Sequence, residues 1–372
     1  LTGSFSLPIL FPNKNNGNRG ELVMGTSKDV QSVVDVRGKS IIQIGFVVRD
    51  AVKMVKRYSE IFGVGPWSFI EGKAKDFILY GKTLRNMDCG LRIAIAYLGK
   101  IQMELIQPLY GPSTHLSFLK EQGEGIHHVS FGAVEDHDQI VSSLTARGIG
   151  IEMQGLAGEV STFTYLATQK TLGTIFEVVN PISRPSGPLR SWGTYNNPDS
   201  GAINVKGKEI KQLGIVVQNS EETARNYWEL FGIGPWIFLD FKPPHLTDVT
   251  LHGITIHHDV NLHIKVAIAQ FGDLQIELLQ PVKGPSTYME FLKTRGQGIH
   301  HLSFGQTEDH DEMISGFHRI GIETESSGLL GGVITYTYLS SQKDLGTIFE
   351  ALKIDSSKKN TLAAYGTYPP AE

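Results

Sequence analysis

The stretch IQMELIQP at 101–108 returns as LQIELLQP at 274–281, and its surroundings return with it. QIGFVV (43–48), GEGIHHVSFG (123–132) and LGTIFE (172–177) reappear as QLGIVV (212–217), GQGIHHLSFG (296–305) and LGTIFE (345–350). So long a period marks a duplicated domain rather than a short-repeat solenoid. Glu104, His128 and Glu177 recur 173 residues later as Glu277, His301 and Glu350, whereas Gln43 recurs 169 residues later as Gln212. The second copy therefore carries a four-residue loop insertion between its first and second polar positions.

Side chains alternate between the two faces of a strand. In the 101–108 stretch Met103 and Leu105 share one face, and Gln102, Glu104 and Ile106 share the other, so one face packs while the other is free for chemistry. Gln43, His128 and Glu177 read the same way in their own β-branched runs. Between these runs, VKMVKRYSEIFG has apolar residues at helical spacing and stops at Gly63. HDQIVSSLTARG is a second helix, and STFTYLAT and TIFEVVNP are strands. Each half thus divides into two βαβββ modules, four in all, and the fold class is α+β. Each polar candidate lies in the first or last strand of a module, where adjacent modules bring four of them to one cleft.

The expected organisation is an extended or disordered arm at 1–38, rich in Asn, Gly, Ser and Lys, and a first domain at 39–183. A Pro/Gly/Asn-rich linker at 184–208, a second domain at 209–355 and a tail at 356–372 follow. With 40% hydrophobic residues each half can bury a core. A net charge of −4 without a dense basic cluster argues against nucleic acid as a partner. No apolar run is long enough to cross a membrane, and a lone Cys89 indicates no disulfide and no oxidising compartment. A cytoplasmic monomer or homodimer acting on a small molecule is the expectation.

One imidazole and three oxygen donors suit a divalent ion with open positions: Zn, Mn, Co, Ni, Fe or Mg, up to two ions per chain. The candidate metal ligands are Gln43, Glu104, His128 and Glu177 in the first copy and Gln212, Glu277, His301 and Glu350 in the second. Such an ion acidifies the proton next to a coordinated carbonyl and stabilises the enediolate-like species that follows. Trp67, Phe69, Trp236 and Phe238, near the two GPW segments, are candidate pocket walls. Tyr165 and Tyr338 are candidate donors to a developing oxyanion. His127 and His300, pointing opposite to the ligand histidines, suit packing or a supporting hydrogen bond. His257 and His258 have no counterpart in the first half and read as a loop feature, and both GPST segments read as a turn plus helix N-cap.

These residues resemble the vicinal oxygen chelate superfamily, which includes glyoxalase I, methylmalonyl-CoA epimerase, bleomycin resistance proteins and dioxygenases. The resemblance implies paired βαβββ modules whose curled mixed sheets surround a metal-binding cleft, one in each half. The Gln, Glu, His, Glu order is similar to the glyoxalase I ligands and implies Glu177 and Glu350 as bases, with Glu104 and Glu277 second. MELIQP, GIHHVSFG and LGTIFE are more similar to the epimerase branch. Val47, Val216, Pro108 and Pro281 stand where glyoxalase I holds glutathione, so a glutathione adduct is not the expected substrate. Gln43 and Gln212 stand where the ring-cleaving dioxygenases need histidine, which disfavours oxygenase chemistry. The expected activity is a metal-dependent isomerase or lyase; an acyl-CoA epimerase and a non-catalytic small-molecule binding protein are the alternatives.

Overall fold

A computed structural model describes residues 33–157, 161–182, 191–196, 201–257 and 260–370. The arm before residue 33, parts of the expected linker, His258 and the last two residues of the tail lie outside the described residues.

The first half runs β1 (Gln43–Val47), α1 (Ala51–Phe62), β2 (Trp67–Leu79), β3 (Lys82–Leu98), β4 (Ile101–Tyr110), α2 (Thr114–Glu121) and β5 (Gly125–Ala133). It continues through α3 (His137–Ala146), β6 (Ile151–Ala157), β7 (Ser161–Leu166), α4 (Gln169–Leu172), β8 (Ile175–Pro181) and β9 (Ser191–Tyr195). In the second half β10 (Gln212–Val216), α5 (Ser220–Phe231), β11 (Trp236–Phe241), β12 (Leu246–Leu251), β13 (Ile254–Thr255), β14 (His263–Phe271) and β15 (Leu274–Lys283) come first. Then come α6 (Thr287–Arg295), β16 (Gly298–Gln306), α7 (His310–Arg319), β17 (Thr324–Leu330), β18 (Ile334–Leu339), α8 (Gln342–Leu345), β19 (Ile348–Ile354) and β20 (Gly366–Tyr368). Among the described residues no helix is long and apolar enough to cross a membrane.

The two mixed sheets are each built from one half alone, so modules pair within a half. In the first, β3-β4-β1-β5-β8-β7-β6-β2 closes into a barrel through a β2–β3 pairing, and β9 adds to β2. The second keeps the order β14-β15-β10-β16-β19-β18-β17-β12 but stays open, because the counterpart of β2 is broken into β11 and β12. The break falls at Pro243 and Pro244, which cannot donate to a sheet ladder. Most of the insertion lies there: the offset between copies grows from 169 at Trp67/Trp236 to 172 at the left-handed residues Asp76/Asp248.

The largest hydrophobic cluster spans both halves, and a smaller one lies within each half. Helix α1 starts where Asp50 accepts a hydrogen bond from Lys53 N (3.0 Å) and stops at Gly63 in the left-handed conformation (φ 66°), as its sequence predicts. Its last residue, Phe62, packs edge-on against Phe304, Phe317 and Phe349 of the other half, with ring centroids 4.9–5.8 Å apart. Reciprocally, Phe231 at the end of α5 packs against Phe131 and Phe176 at 5.8 and 5.0 Å. The Tyr58 hydroxyl donates to Leu345 O (2.6 Å), and Arg57 pairs with Asp344 (2.6 Å). Each of these helices therefore serves both sheets.

Three sequence readings need correction at the edges. Residues 33–36 are docked rather than a free arm: Val33 N and Val34 N donate to Glu229 O and Leu230 O (2.8 and 2.9 Å), and Val34 and Val36 join the core. Ala202 N and Ile203 N, inside the expected linker, make the equivalent bonds to Glu60 O and Ile61 O (2.9 and 2.7 Å). Linker and tail also supply edge strands, with β9 pairing to β2 and β20 to β11. The repeats thus extend outward to about 33–195 and 202–368, and the signal was present as WGTY (192–195) against YGTY (365–368).

Because the cores are merged, the halves should unfold together. Urea titration followed by circular dichroism and tryptophan fluorescence is expected to give one coincident transition, with Phe62→Ala and Phe231→Ala each lowering stability by about 3–5 kcal/mol. Two separated transitions would contradict the shared core.

Candidate metal centres

Four neighbouring strands place the first set. In the order β4-β1-β5-β8 they carry Glu104, Gln43, His128 and Glu177, and β15-β10-β16-β19 carry Glu277, Gln212, His301 and Glu350. Register brings them level: Gly45 sits opposite both Glu104 and His128, and Gln43 opposite Ser130, which pairs in turn with Glu177. The alternation read from 101–108 holds, since Met103 and Leu105 lie in the core while Gln102, Glu104 and Ile106 line the barrel cavity.

Nε2 of His128 lies 3.5 Å from Glu104 Oε2 and 3.7 Å from Glu177 Oε2. In the second half the corresponding distances from His301 are 3.6 and 3.7 Å. Donors about 2.0–2.2 Å from a tetrahedral ion stand about 3.3–3.6 Å from each other. No three His, Cys, Asp or Glu side chains among the described residues are already drawn into a closed ion cage. The His–Glu spacings in both halves lie near or just beyond the upper end of that donor–donor range.

The residues fit an ion on independent grounds. His128 Nε2, His301 Nε2, Gln212 Oε1 and Glu350 Oε2 are buried without any hydrogen-bond partner. Each such orphan costs about 1–3 kcal/mol. Gln43 and Gln212 donate their amide N–H to Gln102 and Gln275 (2.7 and 2.8 Å), which leaves the carbonyl oxygens free to act as neutral donors. Burial pushes the Glu177 and Glu350 carboxyls up to about 7, with the Glu104 charge adding to the effect at Glu177 and His128, Ser130 and Tyr165 opposing it. Burial, then the Glu350 charge, raises Glu277 well above the usual carboxylate range, and burial holds His301 down at about 3, neutral and able to ligate.

The sets are alike, but the spaces beside them are not. The first barrel holds a cavity of about 330 Å³, and the matching space in the second is about 40 Å³. Gly72, Ala157, Ser161, Phe163, Val179 and His115 on the first wall become Phe241, Leu330, Ile334, Tyr336, Leu352 and Tyr288 on the second. Leu246 and Leu362 fill it further. The space beside Glu277 and Glu350 is therefore several-fold smaller than the cavity beside Glu104 and Glu177. A more open groove of about 450 Å³ between the halves, lined by Arg49, Glu124, Arg295 and Lys343 among others, contains none of the eight candidate ligands.

The aromatic predictions divide. Tyr165 lines the first cavity and Tyr338 the second. Trp67 and Trp236 are instead fully buried in the core, their indole N–H groups donating to Val64 O and Ile233 O (2.8 and 2.7 Å). Phe69 and Phe238 also face the core, stacking toward Trp192 and Tyr365, because the next residue, Ile70 on β2, is the one that turns inward. These four are packing residues and not pocket walls. Cys89 is buried, with its thiol pKa raised by burial, as befits a packed residue. Ser113 and Ser286 cap α2 and α6, as the GPST reading predicts.

Sequence reading missed several supports. A Cβ on Gly45 or Gly214 would fall inside the imidazole of His128 or His301, so the ligand histidine requires the glycine opposite it. His115, one residue into α2, contacts the Tyr165 hydroxyl (3.2 Å), and its Nδ1 has no partner. Gln102 and Gln275 orient the first ligand. The repeated QxG, QxE and GPST segments carried this signal, but period-two patterning does not say which strands become neighbours.

Paired curled sheets, each carrying Gln, Glu, His and Glu on four adjacent strands, define a vicinal oxygen chelate architecture. The chain belongs to the Glyoxalase/Bleomycin resistance protein/Dioxygenase superfamily, whose family model matches residues 42–163 and 211–332. A mutant of 4-hydroxymandelate synthase from Streptomyces coelicolor aligns with a TM-score of 0.51 at 11% identity, covering 86% of this chain and 94% of that one. A Mn(II)-bound glyoxalase from Novosphingobium aromaticivorans aligns at 0.43 and 11% identity, covering 86% and 85%. At such identities the likeness shows the fold alone. No curated protein matches the chain.

Two outcomes follow for the centres. An ion must displace the proton that the raised Glu177 and Glu350 carboxyls hold below about pH 7. Metal affinity should therefore fall at least about tenfold per unit as pH drops from 7 to 5.5, measured by calorimetric titration with Mn²⁺ or Zn²⁺; a pH-independent affinity would contradict this. Gly45→Ala should abolish binding at the first set and spare the second, so elemental analysis should give one ion fewer than the parent.

Proposed function

We propose that the protein is a metal-dependent isomerase or lyase that removes a proton next to a carbonyl on a small, largely apolar substrate, with the chemistry confined to the first half. The observation that carries this reading is the contrast between the cavities, about 330 Å³ beside Glu104 and Glu177 against about 40 Å³ beside Glu277 and Glu350. On this reading Glu350 and Glu277 serve as ion donors, and the base lies in the first half.

A divalent ion held by Gln43, Glu104, His128 and Glu177 would supply Lewis acidity at the inner end of the cavity. Glu177 is the base: it lines the cavity from within the ligand set, where a carboxylate that loosens from the ion would take up and return the substrate's proton. Glu104 is the second candidate. Ile70, Leu91, Ile93 and Phe163 wall the cavity with hydrocarbon, which excludes water and favours an apolar substrate body. His115 and Tyr165 present the polar atoms that orient the substrate, and Lys73 adds a cation to the same wall. Val47 and Val216 are fully buried, which supports a substrate other than a glutathione adduct. Orphaned buried donors favour this reading over a purely sequestering role.

Solvent-deuterium exchange into the α-position, screened over apolar α-hydroxyketones, α-keto acids and acyl thioesters, is the test. Glu177→Gln should keep a bound ion yet lower exchange about 10²–10⁴-fold, while Glu350→Gln should exchange at the parental rate. Equal losses in both variants would overturn the assignment to the first half; parental exchange in Glu177→Gln would remove Glu177 as the base.

A further inference from the structure

Behind each ligand histidine runs a chain of buried hydrogen bonds that neither the ligand set nor the cavity explains. His128 Nδ1 lies 3.2 Å from His127 Nδ1, His127 Nε2 lies 3.2 Å from Thr114 Oγ1, and Thr114 Oγ1 donates to Glu152 Oε1 at 2.6 Å. The second half repeats it: His301 to His300 at 3.1 Å, His300 to Thr287 at 3.0 Å, and Thr287 to Glu325. Both histidines and the threonine are essentially inaccessible in each copy, so water cannot replace a missing link.

The chain has a direction, and its ends decide which. Two imidazole nitrogens bond only when one carries a proton and the other does not. Running outward, His128 Nδ1–H donates to His127 Nδ1, His127 Nε2–H donates to Thr114, and the threonine hydroxyl donates to Glu152. Running inward, a neutral His128 would carry its proton on Nε2, the atom facing Glu104 and Glu177, and Glu152 would have to donate. An ionised carboxylate only accepts. It therefore selects the outward direction and leaves the His128 Nε2 lone pair bare.

We propose that Glu152, acting through Thr114 and His127, is a positioning residue that fixes the tautomer of His128 and so keeps its Nε2 available as a donor, with Glu325, Thr287 and His300 doing the same for His301. The role in ion binding rests on reading the quartets as metal ligands; the tautomer itself can be measured without any ion or substrate.

Long-range ¹H–¹⁵N spectra of the imidazoles in the metal-free protein at pH 8 read the tautomer, and Co²⁺ titration reads the affinity of each set. The parent should show His128 protonated on Nδ1 only. Glu152→Gln, whose amide can donate, and Thr114→Val, which cuts the chain, should shift His128 toward the Nε2–H form. Both should weaken ion binding at the first set about 10–100-fold, leave the second set unchanged, and be contrasted with Thr114→Ser at near-parental values. A parent His128 that carries its proton on Nε2, or is doubly protonated, overturns the proposal without recourse to any variant. So do variants that keep both the parental tautomer and an affinity within twofold. A parent that binds no Co²⁺ but shows the Glu152-dependent tautomer would instead sink the metal-ligand reading and leave the hydrogen-bond relay standing.

Discussion

Two carboxylates, a carboxamide and an imidazole share a largely buried interior in each half, and the rest of the structure is arranged around that cost. Burial raises the proton affinity of Glu177, Glu277 and Glu350, and a neighbouring carboxylate adds to the effect at Glu177 and Glu277. Among the described residues no lysine or arginine forms an ion pair with these carboxylates; what their neighbours supply is orientation. Gln102 turns the Gln43 amide, Gly45 clears room for the His128 ring, and the His127–Thr114–Glu152 chain holds that ring from behind. A cation is the counterpart such an arrangement fits, because it pairs with the carboxylates and occupies the orphaned lone pairs together.

Duplication gave the chain two such centres and a way to keep them rigid. Since α1 also packs on the second sheet and α5 on the first, the largest core belongs to both halves, and Phe62 and Phe231 tie the two sheets to one another. The copies then diverged where a substrate would lie and not where an ion would. Bulk replaces small residues around the second set, from Gly72 to Phe241 and from Ala157 to Leu330, while Gln212, Glu277, His301 and Glu350 stay in place. A filled second site costs nothing in packing and adds apolar burial. On the proposed reading, the retained second set would hold an ion that stabilises the fold, and the open first site would be the place for chemistry.

Much of this was legible in the sequence, because duplication lets one chain be compared with itself. The α+β modules, the helix stop at Gly63, the inward face of 101–108 and all eight ligand candidates follow from periodicity and from what the two copies share. The outer limits of the repeats were legible too, in WGTY and YGTY, but short edge strands carry too little pattern to be recognised before their partner strand is known. Trp67 and Trp236 misled because an aromatic beside a turn packs into a core or lines a pocket with the same local sequence, and only the direction of β2 relative to the barrel distinguishes the two. Tertiary structure alone decided that modules pair within a half, that Glu152 stands behind His128, and that one cavity is open while the other is full. Those are relations between residues tens of positions apart, set by strand order and side-chain volume across a curled sheet. A linear pattern fixes which face a residue takes but not what it meets there.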